Sequence, residues 1–347
     1  MSETKMFLMP DYFPSFSCKM GACRTVCCSG WQVSISLDNY FALIGTDCSM
    51  ELRRKMDCAL KPVDYPDEGK YATIHPNYLG ECPLRLEDGR CGVQAELGED
   101  ILPDICRLYP RGVRRHGDGY EISLAGSCEA VPELFLHRKE PITFEMRPLA
   151  LKLPPVPASQ LGDWHIRKER INTMQDRNYT LRQRLARLGG VEPGEVDADT
   201  LSALLQVLVA LAEHSESVRC CATNAVSYFE EDPLLRYQDA NEKFMAETPD
   251  WEAFFEHLLV NHMFFTRYPY SEKGVPETDR FAALTLVYAV LRLLALASAA
   301  NAGTDEDLTD AISAALRLIE HTDFDKTALY LLKKYALYDK ISALVAV

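Results

Sequence analysis

Ten of the twelve cysteines in this 347-residue chain lie at or before Cys128, and the remaining 219 residues hold only Cys220 and Cys221. A chain with 47% hydrophobic and 25% charged residues can bury a sizeable core without covalent staples. Met1 to Pro10 carries Lys5 and no long apolar stretch ahead of a small-residue cleavage site, so a cytoplasmic location is expected. Thiols stay reduced there. So dense a cluster therefore points to metal binding rather than to a disulfide framework.

The first group, Cys18-x4-Cys23-x3-Cys27-Cys28, is followed by Gly30 and Trp31. Four thiols within eleven residues let one loop or helical turn aim thiolates at a single centre. Adjacent cysteines usually point apart, so Cys27 and Cys28 are not both expected on one ion, and Trp31 is expected to shield the site from water. Asp88-Gly89 and Asp118-Gly119 each separate strand-like runs and read as two short hairpins. Cys82 and Cys91 bracket the first turn, and Cys106 and Cys128 the second. Eight candidates result: Cys18, Cys23, Cys27, Cys28, Cys82, Cys91, Cys106 and Cys128. That is twice what one four-thiolate centre needs, so one site or two remain open. An iron-sulfur cluster ranks above zinc, because thiolate dominates and no histidine stands at ligand spacing. Short hairpins have little apolar surface of their own, so metal removal is expected to unfold this region.

The fold class expected is mainly α: a cysteine-rich N-terminal metal-binding region with short hairpins, then an all-α helical domain. Residues 1–140 form the first part. Pro141, Pro148, Pro154, Pro155 and Pro157 make 141–160 a linker, and 161–347 is helical. Helical periodicity covers Asp163 to Leu188, Ala198 to Glu216, Trp251 to Arg267, Thr278 to Asn301, Asp305 to Glu320 and Phe324 to Val345. Thr304 and Asp323 are candidate N-caps, and Gly189 and Gly303 candidate stops. Phe281 to Ala300 is near membrane-spanning length, yet Arg292 near its middle favours a buried bundle helix over a transmembrane segment. Peripheral membrane association and oligomer formation are both compatible with the sequence. The net charge of -14 repels phosphate backbones and argues against nucleic acid as a partner.

The run Pro10-Asp11-Tyr12, Phe16-x-Cys18, Cys23-x3-Cys27-Cys28-x-Gly30-Trp31 resembles the opening of flagellin lysine-N-methylases. The resemblance continues through Cys82-Pro83-Leu84, Asp88-Gly89-x-Cys91, Leu97-Gly98 and Leu102-Pro103-Asp104-Ile105-Cys106-Arg107-Leu108-Tyr109-Pro110-Arg111. Ser123-Leu124-x-Gly126-Ser127-Cys128 and the stretch Asn261 to Tyr270, NHMFFTRYPY, follow in order. The family is similar in turn to small cysteine-rich proteins described as zinc or iron chelators. The resemblance implies methyl transfer from S-adenosylmethionine to lysine ε-nitrogens of flagellin, with a [4Fe-4S] cluster needed and the eight cysteines carried over as candidate ligands.

No glycine-rich turn follows a strand to hold S-adenosylmethionine in the doubly wound manner, and Gly189-Gly190-x3-Gly194 reads as an interhelical loop. An iron with three cysteine ligands offers another way to hold its methionine moiety. The C-x3-C-x2-C spacing of radical chemistry is absent, because Cys28 follows Cys27 at once. Arg107, Tyr109 and Arg111 beside Cys106 are the catalytic candidates, able to orient substrate or a cofactor carboxylate. The plainer reading is that both arginines neutralise a thiolate-ligated cluster. Asn261, Arg267 and Tyr268 carry the same double reading of core helix end or site. Cys48, Cys58, Cys220 and Cys221 are expected to be ordinary thiols, and no histidine pair has metal-ligand spacing. The rival functional reading is a non-enzymatic iron-sulfur or zinc-binding redox or interaction protein.

Overall fold

The structure is a computed structural model that describes all residues except 1–3, 30–32, 79, 117–118, 160–161 and 272–273. Gly30, Trp31 and its expected shielding role, and Asp118 of the second turn, lie outside the described residues. The strands are β1 (Thr4–Pro10), β2 (Val33–Ile35), β3 (Leu60–Pro62), β4 (Ala72–Ile74), β5 (Arg111–His116), β6 (Gly119–Leu124), β7 (Phe144–Ala150) and β8 (Ala158–Ser159). The early helices are α1 (Leu37–Gly45), α2 (Met50–Ala59), α3 (Gly92–Leu97), α4 (Asp104–Leu108) and α5 (Ala130–Leu136). After β8 come α6 (Trp164–Met174), α7 (Leu181–Gly189), α8 (Ala198–His214), α9 (Glu216–Phe229) and α10 (Pro233–Glu247). The chain ends with α11 (Trp251–Phe265), α12 (Glu277–Ala300), α13 (Asp305–His321), α14 (Phe324–Lys334) and α15 (Ile341–Val345). The mainly helical expectation holds, with an all-α region after β8.

The described residues form two compact units, each discontinuous in sequence. Unit one comprises Ser17–Gly112 and Leu151–Val156. Its sheet runs β2-β4-β3, with both pairings antiparallel. Leu43, Leu52, Met56, Leu60, Ile74, Leu84 and Val93 pack into a core of its own, against which Cys48, Cys82, Cys91 and Cys106 rest. This core answers the expectation of a region without apolar support: α1 and α2 supply what the turns lack. Ser36 and Ser49 cap those helices, each accepting a hydrogen bond from a backbone N–H three residues on.

Unit two comprises Thr4–Phe16, Val113–Ala150 and Pro157–Val347. Its five-stranded sheet has the order β7-β1-β6-β5-β8. The proline-rich stretch 141–160, read above as a linker, contains β7, which pairs antiparallel with β1 from Thr4↔Ala150 to Pro10↔Phe144. Pro148 is tolerated there because β7 is an edge strand, where a missing N–H need not break a ladder.

The helical region departs from its periodicity in four places, the first being α9, which lies outside the expected helices. The expected helix Asp163 to Leu188 is two, α6 and α7. Thr180 and Gln183 form a capping box that starts α7 afresh. The final expected helix also breaks, with Ala336 at φ +54 between α14 and the turn before α15. α10 escapes the apolar pattern because only Tyr237, Ala240 and Phe244 of its fifteen residues are buried. Thr304 caps α13 in a capping box with Asp307, whereas Asp323 makes no side-chain cap bond.

α12 is the one helix among the described residues long and apolar enough to cross a membrane, and 94% of its apolar window is buried inside the protein. α9, α10, α13, α14 and α15 pack around it. Arg292 is fully buried, donates to Asn241 Oδ1 at 2.6 Å and lies 4.2 Å from the Trp251 ring centroid. Burial lowers its pKa, and the ring faces of Phe244 and Phe255 help keep the charge tolerable.

α11 is buried nearly all round yet carries Glu252, Glu256, His257, Asn261 and His262. Glu256 accepts from Arg177 Nη2 at 2.8 Å and Nε at 3.0 Å, and from Arg184. His257 donates Nε2–H to the Glu140 carbonyl at 2.9 Å, and burial depresses its pKa from 6.5 to about 4. Neutral His257 thus contributes stability that is whole above pH 6.5 and fades as pH falls through about 4, a window worth about 3 kcal/mol. Thermal melts of the native chain should lose stability across that window more steeply than melts of His257→Gln, which keeps a donor for Glu140. Identical pH slopes would show that His257 is not the group being charged.

Candidate functional site

In unit one, five of the eight predicted ligands are drawn together. Cys28 hydrogen-bonds to both Cys27 and Cys82, and Cys91 and Cys106 lie within electrostatic reach of this group. The neighbouring thiols of Cys27 and Cys28, expected to point apart, instead face one another. Backbone pairing sets the arrangement. Cys82 N–H donates to the Cys28 carbonyl at 3.0 Å, Ser29 bridges Glu81, and Arg85 bridges Cys91. The Asp88-Gly89 hairpin is thus reduced to a tight turn, with Gly89 N–H on the Leu86 carbonyl at 3.0 Å.

The loop carrying Cys18 to Cys28 is seated on that turn by two glycines. Gly21 has φ +101 and Gly89 φ +88. A Cβ on Gly89 would stand 2.4 Å from the Gly21 carbonyl oxygen, and one on Gly21 would stand 2.7 Å from the Arg90 backbone nitrogen. Both the conformation and the contact exclude a side chain.

The thiols differ in their hold on protons. The bond to Cys27 favours the Cys28 thiolate, but the bond to Cys82 and burial outweigh it and push Cys28 up to about 12. The Cys28 hydrogen bond holds Cys82 below the ordinary thiol value, helped by the Leu84 backbone N–H. Burial pushes Cys91 up against the N–H groups of Gln94 and Val93 at the start of α3. It pushes Cys106 up further, with Cys91, Cys27 and Cys28 adding to the effect. Cys28, Cys91 and Cys106 are therefore protonated at neutral pH as they stand, and a cationic centre would have to displace those protons.

As they stand, no three His, Cys, Asp or Glu side chains among the described residues are arranged to hold a metal ion. The donor chemistry nonetheless suits an iron-sulfur cubane, which takes thiolate alone and spreads its ligands wider than one ion does. Cys18 is exposed and its sulfur accepts from the Met20 N–H at 3.4 Å; Cys23 is half-buried. Cys128 belongs to unit two. Cys58 and Cys220 are exposed, and burial pushes Cys221 up to about 11, in keeping with ordinary thiols.

Arg107 is committed to Asp104 and to the Lys152 carbonyl, which fits a clamp between neighbouring segments. Tyr109 ends α4 and Arg111 opens β5, the former packed one turn from Ile105, to whose carbonyl its N–H donates at 3.1 Å.

The motifs outside unit one meet in unit two. Tyr12 donates to Asn261 Oδ1, and Asn261 Nδ2 donates to the Leu124 carbonyl at 3.0 Å. Ser127 Oγ lies 2.8 Å from His321 Nε2. Burial, and then the nearby Glu320, raise the Tyr12 pKa. Arg267, at φ +59 and buried, faces Glu121, which also takes Arg167 at 2.6 Å. Beside this network lies a cavity of about 190 Å³ whose wall includes His262, Arg267, Tyr270, Arg280 and Glu320. Of the residues singled out in the NHMFFTRYPY stretch, Asn261, Arg267 and Tyr268, Arg267 belongs to this wall. Glu320 and Arg280 had no signal, since each reads as one more polar residue on a long helix.

Replacing Gly89 by alanine should cost about 1 to 3 kcal/mol through positive φ and the clash with Gly21. Gly98→Ala isolates the backbone part: Gly98 has φ +83, and a Cβ there would meet nothing within 4 Å. Urea unfolding should place Gly89→Ala well below Gly98→Ala, and equal midpoints would remove the close approach as a cause.

A family model described as the FliB lysine N-methylase C-terminal domain matches residues 193–346. The lysine-N-methylase of Salmonella typhimurium is 29% identical over 131 residues, 37% of this chain and 32% of that protein. That of Salmonella choleraesuis matches to the same extent. The flagellar biosynthetic protein FliU of Salmonella muenchen is 28% identical over 131 residues, 37% of this chain and 75% of that protein. The chain thus matches about a third of the length of the two lysine-N-methylases. No solved structure matches it. Residues 193–346 are thus similar to the C-terminal domain of FliB lysine N-methylases.

Proposed function

We propose that this protein is a cytoplasmic, S-adenosylmethionine-dependent protein-lysine N-methyltransferase that acts on flagellin and carries a [4Fe-4S] cluster. The match to the lysine N-methylase domain carries the reading. The thiol group in unit one supports its metal component, with four ligands drawn from Cys27, Cys28, Cys82, Cys91 and Cys106. Cys18, Cys23 and Cys128 remain as further ligands or as those of a second centre, where zinc is the alternative metal. When bound, a cluster supplies a Lewis-acidic iron or an electron.

In the transfer itself, the lysine nitrogen forms a bond to the methyl carbon as the carbon–sulfur bond of the sulfonium breaks. S-Adenosylhomocysteine leaves and the nitrogen gives up a proton. The nitrogen attacks only when neutral, and free lysine titrates near ~10.4, so the site has to desolvate it or place a cation beside it. Arg107, Tyr109 and Arg111 remain candidates for orienting the reactants. The net charge of -14 favours approach of a lysine-rich surface.

Anaerobic purification with iron, sulfide and zinc analysis tests the metal component. About four irons and four sulfides per chain are expected. Cys82→Ser and Cys91→Ser should lose them, while Cys58→Ser and Cys220→Ser keep them. Flagellin incubated with the loaded chain and S-adenosylmethionine should gain methyl groups on lysine by peptide mass spectrometry. Zinc without sulfide would sink the cluster, and unmodified flagellin would sink the substrate.

A further inference from the structure

β7 is an edge strand of the five-stranded sheet in unit two, and among the described residues no strand pairs with its outer side. Glu145, Met146, Arg147 and Pro148 are exposed in succession, so neither face of this stretch is covered. The hydrogen-bond phase of β7 is fixed at its start. Asp11 N–H donates to the Thr143 carbonyl at 2.9 Å, and the register Pro10↔Phe144 sets these two residues opposite each other at the next step. They are therefore a hydrogen-bonded pair, and bonded and non-bonded pairs alternate along an antiparallel ladder. Glu145, Arg147 and Leu149 turn their N–H and C=O toward β1, whereas Phe144, Met146, Pro148 and Ala150 turn theirs to the open edge. Pro10 and Pro148, which have no N–H to give, both fall at positions where this ladder needs none. An edge of this kind is a template for one more strand.

A strand laid on this edge meets two charges on one face of β7, Glu145 and Arg147, which pair with each other and stay 44% and 46% exposed. One sequence complements that pattern when run antiparallel to it, and it is β7 itself. We propose that two copies of this chain associate by pairing β7 with β7 about a twofold axis at Met146, which joins the two five-stranded sheets into one. Glu145 then stands opposite the partner's Arg147, and Arg147 opposite the partner's Glu145, at non-hydrogen-bonded positions where facing side chains come closest. Met146, 52% exposed in one copy, exchanges both backbone bonds with its counterpart and gains an apolar contact. Each Phe144 N–H reaches the partner's Pro148 carbonyl. Pro148 sits at either end of the paired stretch, where its missing N–H costs one bond on each side. Charges and proline commonly guard an edge against pairing. Here the charges block only the neighbouring registers, because centring on residue 145 or 147 would set Glu145 or Arg147 opposite its own copy. The contact is self-complementary, so it closes at two copies. Confined to one strand, it buries less than about 1,200 Å², the range of weak, reversible association.

The test is sedimentation velocity of the full chain under anaerobic reducing conditions, so that the exposed Cys18, Cys27, Cys58 and Cys220 form no disulfide between chains. From about 1 to about 300 μM, the monomer should pass to a dimer as concentration rises. Glu145→Arg and Arg147→Glu should each weaken self-association by about tenfold or more, since each sets like charges face to face. An equal mixture of these two variants should recover the dimer, because the positive strand of one then faces the negative strand of the other. Such recovery excludes misfolding as the cause of either loss. Met146→Pro, at a position whose N–H the β1 ladder does not use, should abolish the dimer and leave circular dichroism unchanged. A chain that stays monomeric throughout overturns the proposal. So does a dimer indifferent to all three variants, which would place the contact on another surface. A mixture that stays as monomeric as its components refutes the register and the proposal with it.

Discussion

A charge taken out of water has to be met by an opposite charge or by hydrogen bonds, and unit two is organised around that demand. α11 brings four polar side chains into a nearly dry interior, and three of them each recruit a different part of the chain. Glu256 holds Arg177 and Arg184, so the turn between α6 and α7 is tied to it. His257 holds the Glu140 carbonyl, and Asn261 links Tyr12 after β1 to Leu124 at the end of β6. Removing one partner of such a pair leaves the other buried and uncompensated, which costs more than the pair contributes. These residues therefore define which segments meet, whatever their net effect on stability. Against that background Glu320 stands out, because its charge is wholly buried and one of its oxygens has no such partner among the described residues.

Unit one meets the same constraint with thiols. A thiol is weakly polar and can be buried neutral, so Cys91 and Cys106 can rest against the apolar core in protonated form. Their convergence comes from backbone rather than from thiol chemistry: the Cys82–Cys28 backbone bond and the Gly21–Gly89 approach bring together loops about sixty residues apart. With a core of its own, the unit need not draw all its stability from a metal. A bound centre would then chiefly order the turns that carry its ligands.

Much of this was legible from the chain. An arginine near the middle of an apolar run implied a buried helix, and Arg292 is indeed buried against three rings and Asn241. Asp88-Gly89 announced a turn, but nothing announced that Gly21 would be its partner, because close backbone approach leaves no local pattern. The prolines of 141–160 hid β7, since a composition that forbids a central strand permits an edge strand. α10 was invisible for want of apolar residues, and the break before α7 was hidden in a run of good helix formers. The cavity was legible only at Arg267, in the motif that follows α11, while Arg280 and Glu320 come from helices whose polar residues carry no spacing signal.

The motif blocks, contiguous in the chain as far as Cys128, are divided between the two units. The chain enters unit two with Pro10-Asp11-Tyr12, runs through unit one from Cys18 to Arg111, and is back in unit two for Ser123 to Cys128. The reason is the sheet. β1 is an interior strand, its hydrogen bonds met only once β6 and β7 flank it, so Thr4–Pro10 cannot fold with the cysteine loops that follow. Cysteine density alone groups Cys128 with the other thiols. Strand pairing places it in unit two, next in sequence to Ser127, whose hydroxyl meets His321.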